Sequence, residues 1–256
     1  MIIFHLFRPC LFLFSLFLLF LCWGSFLNAF AYRILRNKSL LTRSACPHCS
    51  RTISWYDLIP VLSFFILSGK CRACNKKISW LYPIIELSTA FIFLLITIKI
   101  PPHYWLAYFV LASALIINTR TDLEEMVIPR ITSLFLIPIG LLSAACSLLP
   151  ITFTQSIVGA FFGYGILWIT AFVFKKVTGK DGLGEGDFEL LALIGSFTGI
   201  AGVLHTLFIG SLIGSIIGIT LIITKKYSRN SKLPFGPLLA IGTIFYLCFP
   251  HLLKLL

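Results

Sequence analysis

LLALIGSFTGIAGVLHTLFIGSLIGSIIGITLIIT, residues 190–224, runs for 35 positions without an Asp, Glu, Lys or Arg. As one helix at 1.5 Å per residue it would reach roughly 50 Å, well beyond a hydrocarbon core of about 30 Å. It must therefore turn, and Gly199-Ile200-Ala201-Gly202 is the natural place. The rest of the chain has the same character: 58% of its 256 residues are hydrophobic and 12% charged, where soluble domains carry roughly a quarter charged. The expected fold class is an all-α polytopic membrane protein of about eight transmembrane helices. These are read at 9–30, 82–100, 103–119, 131–149, 152–174, 188–203, 204–224 and 234–253. The chain divides into a first transmembrane segment (1–30), a small loop (31–81) and a seven-helix membrane domain (82–256).

Basic residues collect in alternate connections, as the positive-inside rule expects. Of the 21 Lys and Arg, 18 fall between the first two spans, around Asp122, before Asp187 or at 225–232; Arg8, Lys99 and Lys254 are the exceptions. Those connections are read as cytoplasmic. The formal charge of +12 is then a topology signal, and nucleic acid is not expected as a partner. The apolar run from Leu11 to Phe26 exceeds an ordinary signal-peptide core, and basic residues follow it, so it reads as a retained span. No internal repeat or low-complexity tract is apparent.

Acidic residues are scarce, and a carboxylate beside hydrocarbon is costly enough to mark a functional candidate. Asp122 lies in Thr121-Asp122-Leu123-Glu124-Glu125-Met126-Val127-Ile128-Pro129, and Asp187 in Gly184-Glu185-Gly186-Asp187-Phe188-Glu189. The span count brings both to one membrane face. Such a pair can share a proton, one carboxyl acting as base on water and the other as acid toward an amide. Gly184 and Gly186 are expected to let the backbone bend and a substrate strand approach. Glu124, Glu125, Glu185 and Glu189 read as solvated or substrate-steering charges, Asp57 as a turn residue, and Glu86 as facing the bundle interior or pairing with a base. Two other classes fit the carboxylates or the loop less completely: a transporter or proton channel, and a zinc-ribbon membrane scaffold.

The loop contains Cys46-Pro47-His48-Cys49 and Cys71-Arg72-Ala73-Cys74, with 21 residues between the knuckles. Two Cys-x-x-Cys pairs suit a four-thiolate zinc ribbon, with Cys46, Cys49, Cys71 and Cys74 as ligands. Thiol redox chemistry explains one knuckle and leaves the other without a role. Cys10, Cys22, Cys146 and Cys248 fall in apolar spans and are expected as core residues. The histidines (His5, His48, His103, His205, His251) are scattered, and neither a Gly-x-Ser-x-Gly elbow nor a His-Glu-x-x-His helix is present, so serine and zinc hydrolysis are unsupported.

Taken together these blocks resemble the type IV prepilin peptidases, aspartyl proteases of the bacterial inner membrane. The likeness is carried by Gly24-Ser25-Phe26-Leu27-Asn28, the two knuckles with Trp55-Tyr56-Asp57-Leu58-Ile59-Pro60 between them, and Tyr82-Pro83-Ile84-Ile85-Glu86-Leu87. It extends through Asp122 with Ile128-Pro129, Gly184-Glu185-Gly186-Asp187, and Phe235-Gly236-Pro237-Leu238-Leu239-Ala240. The resemblance implies that Asp122 and Asp187 cleave the basic leader from type IV prepilins and type II secretion pseudopilins at the cytoplasmic face. It further implies N-methylation of the new terminal residue with S-adenosylmethionine as donor. Two positions depart from the pattern: Glu189 stands where the family often has lysine, and Arg130 where an acid is frequent.

Overall fold

The computed structural model describes residues 2–40, 42–180, 182–224 and 233–249. Among these the chain is helical and has no strands, only isolated bridges in the loop. The helices are α1 (Ile2–Leu35), α2 (Leu62–Ile66), α3 (Leu81–Lys99), α4 (Trp105–Glu125), α5 (Ile137–Ala145), α6 (Phe153–Thr178), α7 (Glu185–Ile223) and α8 (Gly236–Cys248). The chain forms two compact units, the first ending at Ile98 and the second starting at Lys99. The basic loop at 225–232, His251 and Lys254 lie outside the described residues, as do the side chains of His5, Arg8 and Cys10.

Among the described residues, five helices are long and apolar enough to cross a membrane: Leu11–Leu35, Leu81–Lys99, Pro102–Glu125, Phe153–Thr178 and Glu185–Ile223. These account for the expected spans at 9–30, 82–100, 103–119 and 152–174 and, as one broken helix, for those at 188–203 and 204–224. The segment read as span 131–149 is the shorter Arg130–Ala145, two 3₁₀ turns followed by α5. Pro129 and Pro138 explain this, since each lacks an N–H and restrains the residue before it. Of the segment read as 234–253, the described residues to Phe249 include the 13-residue helix α8, which closes at Cys248. Residues 188–224 form one helical run broken at Gly199, whose φ of 67° and ψ of −172° are non-helical. A Cβ placed on Gly195 would lie 3.0 Å from Val203 Cγ2, although eight residues of straight helix span about 12 Å. The long apolar run thus doubles back at the first residue of the expected turn.

In the second unit α7 is the central element. It is buried along its first half from Phe188 to Gly199 and packs against α6 and α8. Gly159 and Gly195 set the α6–α7 separation: a Cβ on Gly159 would approach Gly195 O to 2.4 Å, and one on Gly195 would approach Gly159 O to 2.1 Å. Close backbone approach through small residues is how helices associate where lipid removes the hydrophobic driving force. Ser156 adds a buried hydroxyl bond to the Ser196 carbonyl, and Thr206 and Thr243 join α7 to α8 at 3.2 Å. α6 starts with a full capping box from Thr152 and Gln155, which satisfies orphan N–H groups at that end. Cys248 is buried as expected, whereas Cys22 and Cys146 are exposed; a small apolar side chain is as well accommodated facing lipid as facing protein.

Candidate active site and thiol cluster

Asp122 occupies the last turn of α4, which Met126 closes in the left-handed conformation with its N–H donating to the Asp122 carbonyl at 3.0 Å. An acid there opposes the dipole of its own helix. Its carboxylate is nevertheless buried, at 6% exposure, and Oδ2 accepts the N–H of Gly236 at 2.9 Å. Gly236 is the first residue of α8, so Asp122 finds at another helix's N-terminus the positive end its own helix denies it. Asp187 is the third residue of α7; its N–H donates to the carbonyl of the N-cap Gly184 at 3.1 Å, and its carboxylate lies over Gly184 in the first turn. Each carboxylate therefore sits at the start of a helix, Asp122 at that of α8 and Asp187 at that of α7, and the two lie within electrostatic range of one another.

The flanking glycines serve different purposes from those expected. Gly184 has ordinary extended angles (φ −79°, ψ 144°), and a Cβ there would meet nothing nearer than Asp187 Oδ2 at 3.4 Å. Gly186 is covered by Ile128, whose Cβ would stand 2.7 Å from an added Cβ. The close approach at Gly186 is thus made by the segment following Asp122.

That segment, residues 127–133, is tied to both helices that carry the aspartates. Asn118, one turn before Asp122, donates to the Thr132 carbonyl at 3.1 Å and accepts the Thr132 hydroxyl at 2.6 Å. On the other side Glu189 accepts from Arg130 Nε at 3.1 Å and from the Ser133 hydroxyl at 2.9 Å. Glu189 is buried at 7% exposure, which corrects its reading as a solvated charge; Glu185, exposed, lies 3.9 Å from the same Arg130. Glu124 pairs with the buried Arg120 but is itself exposed, so Glu124, Glu125 and Glu185 keep the solvated character expected of them. The two departures from the resembled pattern, Arg130 and Glu189, are bonded to each other. Sequence reading missed Asn118, Thr132, Ser133 and Gly236 as parts of this framework; a buried Asn one turn before an acid was the available signal.

In the first unit the four loop cysteines converge, with sulfurs all within 4.8 Å of one another. Cys46 Sγ and Cys74 Sγ stand 3.8 Å apart, close to the about 3.8 Å edge of a tetrahedron of thiolates bound at ~2.3 Å. The knuckles are built alike. Cys46 N donates to Arg51 O and Ser50 N to Cys46 O; Cys71 N donates to Lys76 O and Asn75 N to Cys71 O. Ser50 and Asn75 both take positive φ, at 57° and 55°. This 25-residue echo escaped the sequence reading because it lies in backbone geometry more than in residue identity. Backbone N–H groups of Cys74 and Ala73 aimed at the Cys71 sulfur hold its thiol down to about 6. Such a site can hold a metal ion. Asp57 is a turn residue as expected, its N–H donating to Ser54 O, and its carboxylate also clamps Arg72 of the second knuckle in a bidentate pair.

Comparison with known proteins adds three findings. Residues 18–100 match the bacterial peptidase A24 N-terminal domain, and residues 109–219 match the type IV leader peptidase family. A prepilin leader peptidase/N-methyltransferase of Aeromonas hydrophila is 37% identical over 206 residues, covering 79% of this chain and 70% of the relative. A protein of the same name from Bacillus subtilis (strain 168) is 35% identical over 232 residues, covering 90% and 91%, and one from Pseudomonas aeruginosa is 34% identical over 208 residues, covering 79% and 70%. No solved structure matches.

Proposed function

Because the chain belongs to the type IV leader peptidase family, we propose that it is a multi-pass inner-membrane enzyme that removes prepilin leaders through Asp122 and Asp187 and N-methylates the new terminus. The observation that supports the catalytic assignment is the placement of Asp122 on the N-terminus of α8 and of Asp187 in the first turn of α7, within electrostatic range of one another. In this reading one carboxyl takes a proton from water while the other donates to the departing amide nitrogen, without a covalent intermediate. The N–H of Gly236 fixes one oxygen of Asp122, and the N-terminus of α7 favours negative charge on Asp187 through each proton transfer.

The substrates are prepilins, and pseudopilins of type II secretion are proposed with them. Their basic leaders suit a site on the cytoplasmic face with exposed Glu125 and Glu185 near it, which would raise encounter rate more than affinity. The four thiols are proposed to hold one structural zinc. A four-thiolate site leaves no open coordination position, so Cys46, Cys49, Cys71 and Cys74 would order the loop without hydrolysing anything. S-adenosylmethionine, when bound, supplies the methyl group. Among the described residues there is no strand-to-helix glycine turn of the dinucleotide type to cradle it, and no residue is assigned to the transfer.

The test is incubation of the purified protein with a prepilin, with and without S-adenosylmethionine, and mass spectrometry of the product terminus. Cleavage in both samples, with one added methyl group only in the presence of the donor, is expected. Absence of cleavage would refute the reading; cleavage without methylation despite ample donor would restrict it to the peptidase.

A further inference from the structure

The connection between α1 and α3 exposes large apolar side chains that a water-facing module would cover: Trp55, Leu62, Phe65, Ile66 and Trp80, the last two at 67% and 61% exposure. Their depth can be worked out. α3 has 19 residues, about 28 Å at 1.5 Å each, which is nearly the whole of a hydrocarbon core of about 30 Å. Leu81 therefore marks one boundary, and Glu86, five residues on, lies about 7 Å inside it. Glu86 is buried and accepts the N–H of Val61 at 2.7 Å. Val61 is the residue before α2. The short helix thus starts at the depth of Glu86, below the level at which α3 enters the membrane.

Its other attachments agree. Phe64 and Phe65 pack on Trp80, the residue preceding α3, with ring centroids 4.7 and 6.1 Å apart. The chain then leaves through Ser68 and Gly69, both at positive φ, with Gly69 N donating to Phe64 O and Ser68 N to Phe65 O in the double bond pattern that ends helices. Exposed Lys70, Arg72, Lys76 and Lys77 follow. Backbone entering an apolar medium must have its polar groups paired. Between Val61 and Gly69, seven N–H groups have acceptors, including the Val61 N–H on Glu86 and the tight Leu62 N–H on Pro60 O that holds Val61 at φ 62°.

We propose that residues 61–69 are a re-entrant dip into the membrane, anchored by Glu86, and that lipid acyl chains cover Leu62, Phe65 and Ile66 while the following basic residues face anionic headgroups. Lipid is favoured over a protein partner because the dip adjoins a membrane-crossing helix and changes to basic residues where it rises. The inference rests on the membrane reading and is independent of the catalytic one.

The full-length protein is reconstituted into phosphatidylethanolamine and phosphatidylglycerol vesicles containing a phospholipid with a photoactivatable diazirine in the upper acyl chain. After irradiation, labelled peptides are mapped by mass spectrometry. The segment 61–69 should be labelled about tenfold more than the peptide around His48, which is exposed on the other, polar knuckle. In Val61→Pro, which has no N–H for Glu86 and cannot adopt φ 62°, labelling should fall toward the His48 level. Native labelling of 61–69 no higher than that of the His48 peptide, or cross-links from it to a second copy in place of lipid, would overturn the proposal. Undiminished labelling in Val61→Pro would overturn the Glu86 anchor.

Discussion

Exchanging the charges of Arg130 and Glu189 gives a quantitative test of how the two aspartate-bearing helices are kept in register. Glu189 has a side chain 9% exposed and two donors, Arg130 Nε at 3.1 Å and the Ser133 hydroxyl at 2.9 Å, while Arg130 is 67% exposed. In Arg130→Asp the buried carboxylate loses its cation and gains a like charge, which costs 3–5 kcal/mol for a fully buried pair and about 1–3 kcal/mol here, since solvent reaches the arginine side. Glu189→Lys alone places an ammonium beside a guanidinium and should cost a similar amount. The double variant R130D/E189K restores opposite charges in the order frequent in the resembled family. It should recover at least about 1.5 kcal/mol of coupling, roughly tenfold in an equilibrium or rate constant. The assay is a double-mutant cycle on thermal unfolding in detergent together with leader-cleavage kinetics. Asp187 lies two residues from Glu189, so the single variants should lose kcat more than KM. Strictly additive effects, or a double variant no better than its worse parent, would refute the reasoning.

Three further outcomes are expected. Gly186→Ala should destabilise by about 1–3 kcal/mol and slow cleavage, because its Cβ would meet Ile128 at 2.7 Å, whereas Gly184→Ala, with 3.4 Å of room, should be nearly silent; equal effects in thermal melts and cleavage assays would contradict this. In metal-stripped protein Cys71 should be the first of the four thiols alkylated, because its thiol is held to about 6. The rate should be low below that pH and rise through it as the thiolate forms, and a Cys71 rate that climbs only above pH 8 would be inconsistent with the backbone donors seen here. Elemental analysis should find one zinc per chain, lost on Cys46→Ser or Cys74→Ser, and undiminished zinc in both variants would exclude the four-thiol site.

Much of this was legible in the sequence, for physical reasons that differ from part to part. Carboxylates are so costly beside hydrocarbon that Asp122 and Asp187 stood out, and paired knuckles fix a ligand set almost regardless of the surrounding fold. The turn near Gly199 followed from length alone. Hydropathy did not foretell how short α5 is, since Pro129 and Pro138 act on backbone geometry and leave the apolar count unchanged. Glu189 was misjudged because local reading sees a surface acid near a helix start, whereas its partners lie 59 and 56 residues away in the chain. Gly236 carries no side chain from which to read its role. Only the fold brings its N–H to Asp122.

The central claim is that Asp122 and Asp187 form the catalytic pair, and the most direct measurement is leader cleavage by Asp122→Asn and Asp187→Asn, each purified and followed by mass spectrometry of a prepilin. The amide keeps the shape and, at position 122, still presents an oxygen to Gly236, but it can neither take nor give the proton. Each variant should insert and melt like the parent while cleavage falls by at least about 10³-fold. Near-normal cleavage by either one would contradict the account.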